Sequence, residues 1–197
     1  MCSSDLALAR LTGIADGFLM GERPIARRVD DSVVALRRGR PMILRRSRGW
    51  SPAPVATLPT RRPILAVGGD LKNAVALAVD GKVFVSQHLG DLDDEDTQAA
   101  FETTIDDLLS MYQVRRRDLR VASDLHPEYR STRIAERLQA GGRLQVQHHR
   151  AHIASVLAEH GVDDEPAIGV AFDGTGWGDD GSIWGGEFFV GSIRQGF

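Results

Sequence analysis

The sequence predicts an α/β fold with a mixed sheet, preceded by the remnant of a smaller α/β unit, and three observations carry that prediction. From residue 63 onward, short apolar runs alternate with stretches of helical periodicity, the pattern of helices layered on a sheet. Asp80-Gly81, set between two apolar runs, signals a tight hairpin, so part of the sheet is antiparallel. The Pro-rich stretch 51–59 divides the chain by charge: residues 1–62 hold 12 Arg against 5 acidic side chains, while the rest is acidic enough to bring the net charge to −3. Such asymmetry points to two units with different partners.

In the first unit, Leu8, Leu11, Ala15 and Phe18 stand at helical spacing, which predicts an amphipathic helix over 6–20, ended by Gly21 and Pro24. The apolar runs 33–36 and 42–44 flank Gly39 and predict two strands joined by a turn. One helix and one hairpin are a thin core for sixty residues, so the start of this unit is expected to be missing. The Pro-rich stretch is expected to be poor in regular structure and to serve as a linker. Strands follow at 64–67, 74–79 and 82–86, then a helix over 97–112 with Phe101, Ile105, Leu108, Leu109 and Tyr112 on one stripe. A strand at 119–122, a helix over 131–140 stopped by Gly141-Gly142, and a strand at 144–146 come next. A helix over 149–160 closes at Gly161; strands at 168–172 and 182–190 flank a Gly-rich turn. An opening three-stranded meander followed by β-α units is the layout of the actin-like ATPase and sugar-kinase fold, here with one lobe and the start of a second.

Composition excludes several classes. Apolar and charged contents are ordinary for a globular protein, and no apolar run approaches the ~20 residues that span a bilayer. The N-terminus lacks the charged and apolar regions of a secretory signal, and Cys2 is the single cysteine, so an internal disulfide or a Cys-based zinc site cannot form. The cytoplasm is the expected compartment.

Three of the six histidines fall within Gln147-His148-His149-Arg150-Ala151-His152. His148 and His152, four apart on a helix, would project from one face and reach a common divalent ion. His149 and His152, three apart, would do the same, and spacing leaves both pairs open. Further ligands must come from elsewhere. Asp173 ends a strand and leads into Gly174-Thr175-Gly176-Trp177-Gly178; such a turn lets backbone N–H groups approach phosphate, with the carboxylate completing a metal shell. Gly68-Gly69-Asp70 follows the first strand of the second unit, where this fold class grips phosphate. Asp124-Leu125-His126-Pro127 follows a strand end, where ligands of open α/β sheets sit. The arginines of the first unit, Arg46 and Arg48 among them, suit a phosphate-rich ligand.

Together these segments resemble the HypF family, carbamoyltransferases that mature nickel–iron hydrogenases. The matching stretches are Arg23-Pro24-Ile25-Ala26-Arg27-Arg28-Val29-Asp30-Asp31-Ser32, Leu44-Arg45-Arg46-Ser47-Arg48-Gly49-Trp50, Ala66-Val67-Gly68-Gly69-Asp70-Leu71-Lys72-Asn73, Ser86-Gln87-His88-Leu89-Gly90-Asp91, Asp124-Leu125-His126-Pro127, Val146-Gln147-His148-His149, and Phe172-Asp173-Gly174-Thr175-Gly176 with Trp184-Gly185-Gly186-Glu187. The resemblance implies that residues 1–58 end a YrdC-like domain, which makes carbamoyl-adenylate from carbamoyl phosphate and ATP. Residues 59–62 would be a linker, and 63–197 the first lobe and part of the second of a Kae1-like domain, which passes the carbamoyl group to the C-terminal cysteine of a HypE-type acceptor. It further implies that His148 and His152 hold a zinc or iron ion with Asp173 as an added ligand. Gly68, Gly69, Gly174, Thr175, Gly176, Ser32, Arg46 and Arg48 would handle nucleotide. Gly21 departs from the polar residue expected there.

The acylphosphatase and zinc-finger modules of the family are absent from this sequence, so the chain alone is expected to be incomplete and inactive. A tRNA threonylcarbamoyl transferase would share the histidine pair, but the basic segment fused ahead of the lobe argues against it. A nucleic-acid-binding module would need aromatic or motif support that the sequence lacks.

Overall fold

The computed structural model describes residues 8–21, 27 and 29–197. The expected helix over 6–20 is helical only at 8–11 among the described residues, and residues 6 and 7 lie outside them. Gly13 takes φ +87, and the Thr12 hydroxyl bonds back to the Leu8 carbonyl, which competes with propagation. Leu11, Phe18 and Leu19 are exposed, so among the described residues these apolar side chains give a longer helix no packed face.

Strands β1 (Val33–Arg37) and β2 (Arg40–Arg45) form the expected hairpin. Arg38 and Gly39 both take positive φ, the type I′ geometry that matches strand twist. The Pro-rich stretch is less irregular than its composition suggests. It supplies a two-residue strand, β3 (Ala56–Thr57), because the amides of Val55 and Leu58 bond to the carbonyls of Val83 and Gly81. Pro is tolerated beside such a strand because β3 lies at a sheet edge.

The main sheet has six strands in the order β3-β6-β5-β4-β7-β8, with β4 (Ile64–Ala66), β5 (Ala76–Val79), β6 (Lys82–Val85), β7 (Arg120–Asp124) and β8 (Gly142–Val146). The meander β4-β5-β6 is antiparallel and turns at Asp80-Gly81, both at positive φ. β7 pairs parallel to β4, and β8 parallel to β7. Parallel neighbours need crossovers, here helices α1 (Glu95–Met111) and α2 (Arg130–Arg137). α1 buries Phe101, Ile105, Leu108 and Leu109 in one core with Leu65, Leu77 and Val121 of the sheet and Ile134 and Ala135 of α2.

α2 stops three residues short of its expected end. Leu138 is already extended, and Leu138 and Ala140 pack on the core while the chain turns into β8. Gly141 makes that turn possible, since a Cβ there would lie 2.3 Å from the Arg117 carbonyl oxygen. Helix α3 (His148–Glu159) follows β8 directly, and strands β9 (Ala167–Trp177) and β10 (Ile183–Gly191) form a separate antiparallel pair that packs on α3.

The turn of that hairpin is not at 174–178, as its glycines suggest. Gly174, Thr175 and Gly176 lie within β9, and the chain reverses at 178–182. Asp180 dictates the later reversal: its carboxylate accepts from the Ser182 amide and the Trp184 indole, with Gly181 at φ +77. Among the described residues no helix is long and apolar enough to cross a membrane.

Candidate metal centre

Three adjacent parallel strands, β4, β7 and β8, deliver side chains or backbone to one crevice at their C-terminal ends, where open α/β sheets bind ligands. β4 runs on into Gly68-Gly69, β7 ends at Asp124, and β8 passes through Gln147 into His148. Gln147 starts α3 by accepting a hydrogen bond from the Arg150 amide at 3.1 Å, which places His148 on the first turn. His152 follows one turn later.

The structure resolves the open choice of pairs. His148 and His152 turn their Nε2 atoms toward each other at 3.2 Å. His149 points the other way, fully buried against β9. The third member comes from the hairpin: Asp173 Oδ2 lies 3.0 Å from His148 Nε2 and 3.6 Å from His152 Nε2. Asp173 reaches them from a bulge. Gly186 pairs with Phe172 and Trp184 with Gly176, so three residues of β9 oppose one of β10, a distortion that re-aims side chains beside functional sites.

These three atoms fit a small cation. Ligands ~2.0–2.2 Å from a tetrahedral zinc stand ~3.3 Å apart. The observed separations of 3.2, 3.0 and 3.6 Å bracket that edge. Two imidazoles and a carboxylate also suit iron.

Electrostatics follow from the same contacts. The hydrogen bond that His148 donates to Asp124 stabilises the imidazolium, raising its pKa above the ordinary histidine value; burial opposes this, and the charges of Asp124 and Asp173 reinforce it. Burial and the neighbouring His148 push His152 down. Burial pushes Asp173 up, but the Gly174 amide and the charges of His148 and His152 outweigh it and leave it low.

The hairpin is held to α3 by specific contacts. The Gln147 side-chain amide donates to the Trp177 carbonyl at 3.1 Å, and Arg150 pairs with Asp179 at 2.8 Å. Gly176 lets β9 pass over the His149 ring, and Gly169 lets it pass over Ile153. Gly176 is thereby buried under His149, whereas Gly174 and Thr175 stay exposed.

The other expected residues lie as follows. Gly68 takes φ +68, and Asn73 ties its turn by donating to the carbonyls of Val67 and Gly69. Gly69 faces the crevice, since a Cβ on it would come 3.9 Å from His148 Cε1. Asp70 points away to cap α2, accepting from the amides of Arg130 and Ser131. Ser32, Arg46 and Arg48 are not brought to the histidines. Ser32 accepts from the Ser47 amide, Arg46 donates to the carbonyls of Trp50 and Ala53, and Arg48 pairs with Asp31.

Sequence reasoning missed the partner of His148. Asp124 Oδ2 lies 2.6 Å from His148 Nδ1. Its signal was present as a carboxylate at a strand end, but only the fold sets it behind this imidazole. His126, stacked on Tyr129 at 4.2 Å and edge-on to Trp177 at 5.1 Å, forms an aromatic wall beside the centre.

Residues 59–159 match the family model described as the HypF Kae1-like domain, and 169–196 match that of the carbamoyltransferase Kae1-like domain, second subdomain. This chain belongs to the HypF family. It is 50% identical over 191 residues to carbamoyltransferase HypF of Synechocystis sp., covering 96% of this chain and 24% of that protein. It is 46% identical over 194 residues to HypF2 of Cupriavidus necator, covering 95% and 24%. The crystal structure of full-length HypF in its phosphate- and nucleotide-bound form superposes with a TM-score of 0.87 at 41% identity, over 97% of this chain and 30% of that one. HypF of T. kodakarensis gives 0.83 at 37%, over 98% and 25%. The chain thus spans about a quarter of the length of its HypF relatives, and its α/β fold with a mixed sheet is that of the Kae1-like domain.

Proposed function

We propose that this chain supplies the metal- and phosphate-facing part of a carbamoyltransferase. The reaction is the ATP-dependent transfer of a carbamoyl group from carbamoyl phosphate, through carbamoyl-adenylate, to the C-terminal cysteine of a HypE-type acceptor during hydrogenase maturation. The observation that carries this reading is the convergence of His148, His152 and Asp173 on one point at the C-terminal ends of the parallel strands. Those three side chains would hold a zinc or iron ion, which when bound supplies Lewis-acid polarisation and a template for the reacting groups.

The chain's own residues do the rest. Gly69 leaves the crevice open beside His148, so a phosphate-bearing ligand approaches closely. Gly68 and Gly69 on one side, and the exposed Gly174 and Thr175 on the other, would border the space for phosphate, with Gly176, buried under His149, holding their strand in place behind them. Trp177, His126 and Tyr129 wall one side and limit water. Residues 1–58 would close a YrdC-like domain, where Ser32, Arg46 and Arg48 face the nucleotide of the adenylation step.

The test has two parts. The purified chain should bind about one divalent ion by elemental analysis, and His148→Ala/His152→Ala should lose it. Exchanged for the matching quarter of the Synechocystis protein, the wild-type segment should support transfer of labelled carbamoyl to the acceptor and the double variant should not. Equal metal content and equal transfer in the two would overturn the reading.

A further inference from the structure

We propose that Asp124 is a positioning residue for the metal centre: it fixes His148 as the Nδ1–H tautomer and so aims the Nε2 lone pair at the point shared with His152 and Asp173. The proposal rests on the metal reading above and extends it to a residue that touches no bound group itself.

The carboxylate of Asp124 is almost fully buried, with a side-chain exposure of 7%. Each of its oxygens has one donor. Oδ1 accepts from the His126 amide at 2.8 Å, and Oδ2 lies 2.6 Å from His148 Nδ1. A carboxylate only accepts, so each carboxylate beside the ring calls for a proton: Asp173 at Nε2 over 3.0 Å, and Asp124 at Nδ1 over the shorter 2.6 Å from a more buried position, which gives Nδ1 the proton of the neutral ring. In the neutral ring Nε2 is then the free donor atom, and it is Nε2 that faces His152 and Asp173. Ligating histidines are oriented in this way by a carboxylate on the far nitrogen. The backbone makes the arrangement rigid. Asp124 ends β7, His148 follows β8, and the two strands pair in register from Arg120↔Gly142 to Asp124↔Val146. Beyond that register, the Leu125 amide continues the ladder to the Val146 carbonyl at 3.1 Å.

Asparagine exposes the logic because it has one acceptor oxygen where two donors converge. If its oxygen stays with the His126 amide, its NH2 faces His148 Nδ1. The ring must then move its proton to Nε2, the wrong tautomer for a ligand, as in a catalytic triad whose aspartate is replaced by asparagine. If its oxygen turns to His148, the part-buried His126 amide faces an NH2 group and the β7 end is disrupted.

The experiment combines ring 15N NMR of the metal-free 197-residue chain, at a pH where His148 is neutral, with Zn(II) titration against a competing chelator. Wild type should show His148 protonated at Nδ1. Asp124→Asn should shift it to Nε2 and weaken Zn(II) binding about 10–100-fold. An Nε2–H tautomer in wild type would overturn the proposal, and so would a folded Asp124→Asn variant that binds Zn(II) within twofold of wild type. If Asp124→Asn does not fold, the wild-type tautomer alone decides. Zn(II) binding that persists in His148→Ala/His152→Ala would remove the metal reading, while the tautomer would still decide the role of Asp124.

Discussion

Replacing Gly176 by alanine should loosen the hairpin and the centre together. An added Cβ would stand 2.4 Å from His149 Cε1, 2.9 Å from Nδ1 and 3.1 Å from Nε2. Relaxed carbon–carbon contacts lie at about 3.5–4.0 Å, so more than an ångström of separation must be found. His149 has little room to give it: the ring is fully buried, and Nδ1 is held by the Gln147 side-chain amide at 2.9 Å. β9 must therefore lift. Overpacking of this kind costs about 1–3 kcal/mol, which for a chain of this size lowers Tm by roughly 2–12 °C. Asp173 lies three residues away on the same strand and would lift with it, so Zn(II) affinity should fall in the same variant. Thermal unfolding by circular dichroism and chelator competition read the two effects. Combining Gly176→Ala with His149→Ala should recover part of the loss, because the second change removes the obstruction. A single variant within about 0.5 kcal/mol of wild type, with unchanged Zn(II) affinity, would refute the reasoning.

Two further perturbations probe the scaffold. The Thr97 hydroxyl and amide hold Asp94, the N-cap of α1, below the ordinary carboxylate range. A depressed folded value gives stability that is present above the unfolded pKa of about 3.9 and lost as pH falls through the folded one. The urea midpoint of wild type should therefore exceed that of Asp94→Asn at pH 6, and the gap should close as pH drops below about 4; a constant gap down to pH 2.5 would contradict it. Asp70→Ala strips the α2 amides of Arg130 and Ser131 of their acceptor in a buried setting, which should cost about 1–2 kcal/mol in urea unfolding, with Asp70→Asn milder.

Much of this architecture was legible because local chemistry and tertiary packing agree. Asp80-Gly81 demands the turn it makes, and the stripe from Phe101 to Leu109 is the face α1 buries. Spacing made two histidine pairs legible without choosing between them, and only the family resemblance named His148 and His152. Nothing in spacing tells that His149 serves β9 while His148 serves the crevice, since that depends on which strand lies over the helix. The glycines after Asp173 misled for a related reason. Glycine serves both turns and close approaches, and Gly176 is used for the second. The expected helix over 6–20 failed on periodicity without a partner surface. Asp124 was visible as a strand-end carboxylate, yet its role depends on the parallel pairing of β7 with β8, a long-range choice that no local window contains.

Asp70 carries a consequence for how an anion can enter. The start of a helix is a natural seat for negative charge, and α2 begins beside the crevice with its first amides turned toward β4. That seat is already taken by a group built into the chain, with the Arg130 guanidinium drawn to the same carboxylate at 3.3 Å. An incoming anion therefore gains nothing from this helix start, whose amides and nearby guanidinium are already matched by Asp70.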